Sequence, residues 1–465
     1  MIEAKDIQYS YVQEPYFGVP EEMPTIPDST YERRFKNTLE VINARGLDYM
    51  LVYADREHYG NFDYLTGFGP RFEEAILLIS KTGETYTFLG NECMGLNRFN
   101  RIPGSRGILA QTLSLPNQPI EKHRELEEVF REIGVTAQCR VGLVGWKLIY
   151  PVYGTIYDSD IPSYIVESIR SIVGREQTEN ATDAFIHPAY GMRTINDAHE
   201  IAYFEYGAAY ASDSVQQILQ EVRPEMTEVE ISQLATCGFL PTTMFPKVLS
   251  GSRLEIGMAS PSTKPAHFGE RFQVSIGLIG GLTNRKGFLA YSEEDIPEKS
   301  RDYIDKYVKP YFALVANWYE MVGIDVSCGD IYKMVDTTFP KEKYGWFLNP
   351  GHYTSTEEWM ASPIYENSQI CLKSGMCLQM DIIPSTSSDY APPNCEDGIA
   401  IADAELRREL KELYPDVYER IESRRSFMRE VLNIQIRPEI LPLSNLTGLY
   451  RPFVLNREKA LFVGK

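Results

Sequence analysis

The sequence predicts an α+β protein of two domains, and three observations support this fold class. Short apolar runs of strand length alternate with helical patterns over the first ~180 residues, as in an α/β domain. Near residue 189 a long stretch begins in which apolar residues recur at helical spacing. Further helices then interleave with strand-like runs that read as antiparallel. We therefore predict domains at residues 1–188 and 189–465.

The first domain begins with an arm. Residues 1–29 are rich in Pro, Tyr and acids and predict a segment that packs against another part of the protein. A helix follows from about Tyr31 to Gly46, where the glycine ends it, and an apolar strand comes next. The turn "KTGE" between "AILLIS" and "TYTFLG" predicts a hairpin, and "RELEEVFREIG" predicts an amphipathic helix.

The second domain contains local signals for the ends of its helices and for a turn. Pro224 ends its first long helix, and Thr227 with Glu230 forms a capping box for the next. The stretch "VSIGLIGGLTNRKGFLAY" predicts a β-hairpin with a Gly-Gly turn. Its second half carries Asn284, Arg285 and Lys286, so the strand holds cations that call for acidic partners elsewhere in the chain.

Composition excludes several classes of function. A net charge of -19 argues against nucleic acid and anionic membranes as partners. The seven cysteines form no C-x-x-C pair and predict reduced thiols rather than a disulfide framework. We find no signal-peptide pattern and no apolar run of the ~20 residues that a membrane span needs. The expectation is a cytoplasmic globular protein with a small-molecule substrate.

Four residues stand out as candidates for chemistry. His267 in "STKPAHFGE" and His352 in "FLNPGHYTS" lie among Pro and Gly beside predicted strands, where functional groups are often held. Asp381 and Glu396 lie in runs that otherwise read as buried strands. A buried carboxylate is costly unless it is paired, coordinated or used in catalysis. The alternative for each is structural: a hydrogen-bonded imidazole or a salt bridge.

Several motifs in chain order resemble a known family. "RTINDAHEIAYFEYGAAYASDSV", "RPEMTEVEISQL", "PGHYTS", "KSGMCLQMDIIP" and "CEDGIAIAD" look like the creatinase/aminopeptidase P/prolidase superfamily. The segment "RRFKNTLEVINARGLDYMLVYADREHYGNFDYLTGFGPR" resembles that family's creatinase-type N-terminal domain. The resemblance implies a C-terminal pita-bread domain preceded by an α/β domain, and it covers nearly the whole chain from about residue 30.

The same resemblance implies a dinuclear metal site of two Asp, one His and two Glu, from which this chain departs. His352 matches the histidine ligand, and Asp381 and Glu396 stand at the two glutamate positions. The first aspartate position holds Ser275 with Gly277, and the second holds Asn284, Arg285 or Lys286. Carboxylates are needed to cancel the charge of two divalent ions, so we predict a site without metal or other cofactor.

Loss of the metal does not imply loss of catalysis, because the superfamily includes the metal-independent hydrolase creatinase. The resemblance implies a creatinase-like hydrolase of a C–N bond in a small carboxylate-bearing substrate, with His267 as general acid and base. It also implies a homodimer in which the N-terminal domain of one subunit completes the site of the other. His352, Asp381 and Glu396 are further catalytic candidates, and the predicted substrate-binding residues are Phe68, Arg71, Arg285, Lys286 and Tyr353.

Two other readings stay open. The protein could be a non-catalytic descendant that binds a small molecule or peptide in the same cleft. It could also be an Xaa-Pro metallopeptidase in which Glu293, Glu294 or Asp295 supplies the ligands, although these acids lie beyond the predicted strand and are expected to cap a solvated turn.

Overall fold

The computed structural model describes residues 1–237 and 240–464, which form two compact units. One unit spans Ile26–Thr194, and the other begins at Ile195 and includes the first 25 residues, with strand β1 (Ile7–Tyr11). The boundary therefore lies six residues beyond the predicted position 188/189. None of the described helices combines the length and apolar character that crossing a bilayer requires.

The N-terminal unit is a mixed sheet with helices. Its six strands have the order β5-β4-β3-β2-β6-β7, with β2, β3 and β4 antiparallel and the outer pairs parallel. The predicted hairpin around "KTGE" is β3–β4. The elements are α1 (Asp28–Ala44), β2 (Tyr49–Ala54), α2 (Gly60–Thr66), β3 (Ala75–Ser80), β4 (Thr85–Leu89), β5 (Arg106–Leu109), α3 (Leu126–Ile133), β6 (Val141–Val144), α4 (Ser163–Val173), β7 (Thr178–Asn180) and α5 (Asp183–Ile186).

The C-terminal unit is built on a larger, antiparallel sheet. Its elements are α6 (Ala198–Glu221), α7 (Glu228–Ser232), β8 (Thr242–Ser250), β9 (Arg271–Leu278), β10 (Gly281–Phe288), α8 (Lys309–Met321), α9 (Cys328–Thr338), α10 (Lys341–Tyr344), β11 (His352–Tyr353), β12 (Cys377–Met380), β13 (Asn394–Ile401), α11 (Ala404–Leu413), α12 (Pro415–Glu430), β14 (Ile440–Pro442) and β15 (Lys459–Val463). The sheet order is β11-β12-β13-β10-β9-β8, and β14 pairs with β13. The α+β prediction is confirmed.

The N-terminal arm does not belong to the N-terminal domain, contrary to the predicted boundary at residue 1. Strand β1 pairs antiparallel with β15, with Ile7 opposite Val463 and Tyr11 opposite Lys459. Ile7 is buried in this pairing, so the arm closes a two-stranded sheet within the C-terminal unit. The backbone of an otherwise exposed terminal segment is thereby hydrogen-bonded.

Local signals in the C-terminal unit hold as predicted. The Thr227 hydroxyl accepts a hydrogen bond from the Glu230 backbone N–H at 3.2 Å, and the Glu230 carboxylate accepts one from the Thr227 N–H at 2.8 Å. This is the predicted capping box at the start of α7. The predicted hairpin is β9–β10, in which Gly280 has a φ of +93° that suits glycine.

The turn of this hairpin touches the backbone of helix α6. A Cβ added to Gly207 would lie 1.8 Å from the carbonyl oxygen of Ile279, and one added to Gly281 would lie 2.8 Å from the Cβ of Ala208. Helix and hairpin can therefore approach this closely only because the contact residues are small. The close contact fixes the position of β9 and β10 against α6.

We expect Gly207→Ala to lower the free energy of unfolding by about 1–3 kcal/mol, because the added methyl group forces helix and hairpin apart. Urea denaturation measures the change. Gln220→Ala, at an exposed position of the same helix, is the matched control and is expected to be neutral within about 0.5 kcal/mol. Equal stability of the two variants would contradict this account of the contact.

Candidate functional site

A line of side chains crosses one face of the C-terminal sheet. The register places Lys247 of β8 opposite Ser275 of β9, Ser275 opposite Asn284 of β10, and Asn284 opposite Glu396 of β13. Directly opposed residues of antiparallel strands point to the same face. We call these four residues the polar row. Lys286 lies two residues beyond Asn284 and therefore shares the face.

The row ends at a buried triad of titratable groups. One ligand-type atom each of His352, Asp381 and Glu396 lies within 4.8 Å of the other two. Their exposures are 0%, 4% and 4%. Met380, the last residue of β12, pairs with Asp397 of β13. Asp381 is the next residue and therefore lies beside Glu396. The sequence prediction that these three residues come together is thus met in the geometry, while their catalytic role stays a prediction.

Local structure fixes the imidazole of His352. Gly351, with a φ of +124°, turns the chain into β11, and Trp359 stacks on the ring with a centroid distance of 4.1 Å. Nδ1 donates to the carbonyl oxygen of Tyr353 at 3.2 Å. Nε2 lies 3.2 Å from a carboxylate oxygen of Glu358 and 3.9 Å from Asp381.

The charges around this imidazole favour its protonated form. Burial by itself lowers the pKa of His352, but the carboxylates of Glu358 and Asp381 outweigh burial and raise it above its ordinary value. The pKa of Glu358 is lowered, since the attraction of His352 exceeds the effect of burial. His352 and the partly exposed Glu358 thus form an ion pair at the end of the row.

The two carboxylates of the triad have raised pKa values. Burial raises the pKa of Asp381 to about 6, although His352 and the lysines oppose the rise. Burial, with the negative charges of Asp381 and Glu358, raises the pKa of Glu396 well above its usual range. Two neighbouring carboxyl groups that cannot both ionise easily share protons as a pair. At neutral pH the arrangement favours an ionised Asp381 beside a protonated Glu396.

Lys286 supplies a cation to the same face. Its side chain is buried, and burial with the nearby charge of Lys247 lowers its pKa to about 8, against the pull of Asp381 and Glu396. Lys286 therefore supplies positive charge on the face that carries the two carboxyl groups. The amino group still carries a proton in most molecules at pH 7.

Arg285 takes a different role from the predicted one. Because side chains alternate along a strand, it points to the opposite face of β10, where Nη2 lies 2.8 Å from a carboxylate oxygen of Asp397. Its guanidinium also donates to the carbonyl oxygens of Leu446 and Leu449. This buried pair leaves Arg285 remote from the triad's face. This geometry does not support the prediction that Arg285 binds substrate.

Tyr353 is also a structural residue. It follows His352 on β11 and so points to the other face, where its hydroxyl donates to the sulfur of Met376 at 3.5 Å. Burial raises its pKa well above the ordinary value. Strand alternation places Tyr353, like Arg285, away from the triad's face, and this placement does not support the predicted substrate contact.

His267 lies in a loop before β9, and its side chain is 49% exposed. Nδ1 lies 3.0 and 3.1 Å from the two carboxylate oxygens of Glu225. Glu225 has a φ of +70°, an unfavourable conformation for a side chain of this kind. In the described residues no contact joins His267 to the buried triad, so its proposed role rests on the resemblance.

The two remaining candidates belong to the N-terminal unit. Phe68 is buried and packs edge-to-face on Phe62 with a centroid distance of 5.3 Å. Arg71 has a φ of +40°, and its guanidinium lies 5.2 Å from the ring centroid of Tyr59. The contacts within this unit neither support nor oppose a role of Arg71 or Phe68 in substrate binding.

The residues present do not fit a pair of divalent ions. The donor set is one imidazole and two carboxylates, and the neutral Ser275 and Asn284 occupy the row where further carboxylates would be needed. At an effective dielectric of ~20, a divalent ion ~4 Å from the Lys286 ammonium would be opposed by about 8 kcal/mol. Asp295 instead accepts hydrogen bonds from the Tyr291 and Ser292 N–H groups and caps a turn, as expected.

Three site residues escaped sequence reasoning. Lys247 lies on β8, and its charge acts on both carboxylates of the triad. Glu358 and Trp359 come from a loop with no strand or helix pattern. The adjacent acid and tryptophan shortly after "PGHYTS" were a possible signal, since a buried histidine often has a carboxylate partner. The lysine in "TTMFPKVLS" gave no such signal, because the proline beside it interrupts the strand pattern.

Comparisons with known proteins bear on the fold. No protein-family model matches the chain, and no curated protein sequence is significantly similar to it. Solved structures do match. The prolidase of Pyrococcus horikoshii OT3 superposes with a TM-score of 0.61 at 14% identity, covering 80% of this chain and 95% of that one. The protein has the pita-bread fold.

Other pita-bread structures support the same assignment. The Xaa-Pro dipeptidase of Bacillus anthracis has a TM-score of 0.59 at 14% identity and covers 81% of this chain and 96% of that one. The X-Pro aminopeptidase of Thermotoga maritima MSB8 has a TM-score of 0.61 at 13% identity, with 80% and 95% covered. The resemblance noted from sequence motifs to the creatinase/aminopeptidase P/prolidase superfamily is thereby confirmed at the level of fold.

Proposed function

We propose that the protein is a metal-independent hydrolase that cleaves a C–N bond in a small carboxylate-bearing substrate. The observation that carries this proposal is the buried Lys286 on the same sheet face as Asp381 and Glu396, whose charges act on it. An ammonium group there supplies positive charge where the fold family uses metal ions. The two carboxyl groups then remain available for proton transfer.

The pKa values of the carboxyl groups assign their roles. Asp381, with a pKa of about 6, is the general base that takes a proton from water as the water oxygen bonds to the carbonyl or amidine carbon. Glu396, whose pKa is raised further, is the general acid that donates a proton to the nitrogen as the C–N bond breaks. Proton transfer from Asp381 to Glu396 then resets the pair.

Two further groups support this step. Lys286 stabilises the negative charge that develops on the substrate oxygen, because a buried donor is more effective there than in water. His352, held by Glu358 and favoured in its protonated form, lowers the pKa of Asp381 and so keeps this carboxylate ionised near neutral pH. His352 is in this view a positioning and electrostatic residue.

His267 is a second candidate for the acid and base. Its imidazole is oriented by both carboxylate oxygens of Glu225, an arrangement that holds Nδ1 as the donor and presents Nε2 as a base. The strained backbone of Glu225 supports a functional reading of this pair. In this second candidate, which has His267 as the acid and base, Arg71 of the partner subunit would bind the substrate carboxylate in a homodimer, which sedimentation analysis and mixed dimers of site variants can test.

The pH dependence follows from the two assigned ionisations. We expect kcat/KM to rise with pH through about 6, as Asp381 loses its proton, and to fall through about 8, as Lys286 loses its own. Lys286→Met removes the cation that lowers the pKa of Asp381 and of Glu396, so the acidic limb should move to higher pH, and the alkaline limb should move to the higher pH at which the general acid Glu396 loses its proton. An unchanged alkaline limb in this variant would contradict the role of Lys286.

The experiment that tests the function combines metal analysis with a substrate panel. Purified protein is dialysed against chelator, analysed for transition metals, and incubated with N-acyl and N-carbamoyl amino acids, amidino acids and Xaa-Pro dipeptides while amine release is measured. Turnover by metal-free protein supports the proposal. Turnover that requires added Mn²⁺, Co²⁺ or Zn²⁺ would favour the metallopeptidase reading, and tight binding without turnover would favour the non-catalytic one.

A further inference from the structure

The two ends of the polar row carry different chemical groups. It runs across four neighbouring strands from Lys247 through Ser275 and Asn284 to Glu396. With strands ~4.8 Å apart, its backbone positions span ~14 Å, which is long enough for a ligand of amino-acid or dipeptide size. A cation stands at the β8 end, neutral groups lie in the middle, and titratable carboxyl groups close the other end.

Lys247 has little to bind within the chain. Among the described residues, its Nζ makes one hydrogen bond, to the thioether sulfur of Met258 at 3.5 Å, and a thioether is a weak acceptor. The lysine is half-buried on β8, the last strand in the sheet order. Its charge nonetheless acts on Asp381, Glu396 and Glu358. The register opposite Ser275 places this lysine on the face of the row.

The middle of the row holds a buried hydroxyl that makes no hydrogen bond among the described residues. Ser275 is fully buried, and in the described part of the chain its Oγ has no hydrogen-bond partner. An unsatisfied buried polar group costs about 1–3 kcal/mol, and such groups in native proteins call for an explanation. Asp381 Oδ1, at the far end, is likewise without a hydrogen bond among the described residues. Polar atoms that make no hydrogen bond among the described residues therefore lie both in the middle of the row and at its carboxyl end.

We propose that Lys247 and Ser275 form the binding site for the carboxylate of the ligand and so set its orientation and class. An ammonium group and a hydroxyl donor can both donate hydrogen bonds to a carboxylate. Asn284, which separates Ser275 from Glu396 in the row, is neutral and adds no charge. The C–N group of the ligand then faces Asp381 and Glu396. The ligand class is an acid of amino-acid size with its carboxylate free, and the corresponding amide is rejected. Only the placement of the C–N group rests on the proposed function.

A pair of matched probes tests the inference without turnover. Binding of N-acetylglycine and of N-acetylglycinamide, which lacks the carboxylate charge, is measured by calorimetry and by the shift in Tm. We expect the wild-type protein to bind the acid at least tenfold more tightly than the amide. Lys247→Gln should remove this preference, and Ser275→Ala should weaken binding of the acid severalfold while leaving the protein folded. Lys373→Gln, at an exposed lysine, is the control and should bind as the wild type does.

The outcomes separate this inference from the proposed function. Equal binding of acid and amide by the wild type, no binding of either at millimolar concentration, or unchanged binding of the acid by Lys247→Gln overturns the inference, even where hydrolysis is observed. A preference for the acid that disappears in Lys247→Gln supports it, even where no member of the substrate panel is hydrolysed.

Discussion

Replacing Arg285 by methionine will lower the free energy of unfolding by about 3–5 kcal/mol, because it leaves the carboxylate of Asp397 buried without its cation. Both side chains are almost fully buried and meet at 2.8 Å. The hydroxyl of Ser444 still donates to Asp397 at 2.6 Å and the Gly448 backbone also donates to it, but neutral donors do not replace a charge. The carbonyl oxygens of Leu446 and Leu449 also lose their donors. Urea denaturation followed by tryptophan fluorescence measures the loss.

Two controls show whether the cost comes from the unpaired charge. The double variant Arg285→Met/Asp397→Leu removes both charges and should regain most of the lost stability, since a buried ion pair is often no better than an apolar pair. Arg408→Ala breaks an exposed pair with Glu412 and should change stability by no more than about 0.5 kcal/mol. If Arg285→Met is as stable as Arg408→Ala, the buried pair has no such role.

Asp381→Asn will reduce kcat by about 10²–10⁴-fold, because an amide cannot take the proton from water at this position. The substitution keeps the size of the side chain and removes a group whose pKa is about 6. The pH profile should therefore lose its acidic limb along with the rate. Steady-state kinetics on the substrate found in the panel provides the measurement.

A comparison of variants decides between the two candidate bases. Asp389→Asn, in the loop that follows Asp381, serves as the control and should keep full activity, since Asp389 pairs with the exposed Lys299. His267→Ala should retain activity if Asp381 is the base. The reverse pattern, with Asp381→Asn active and His267→Ala inactive, would assign the acid and base role to His267 and its partner Glu225.

Local patterns predicted much of the fold because they depend on neighbours in the chain. The hairpin β9–β10 and the capping box of Thr227 and Glu230 are set by turn chemistry and backbone hydrogen bonds within a few residues. The same holds for the triad's identity, since two carboxylates in apolar strands are conspicuous in any sequence. The arm was misplaced because its partner, β15, lies some 450 residues along the chain, where no local pattern points to it.

The amino-acid sequence by itself determined which groups the site contains: two carboxyl groups, an imidazole and a strand that carries cations instead of aspartates. Only the tertiary structure decided which cation serves them. The register of β10 against β13 turns Lys286 toward Asp381 and Glu396 and turns Arg285 toward Asp397, and a shift of one residue would have exchanged the two. Lys247 joins the site because β8 pairs with β9, which lies more than 20 residues further along the chain. Glu358 joins it through a contact with His352 from an irregular loop, which no local pattern predicts.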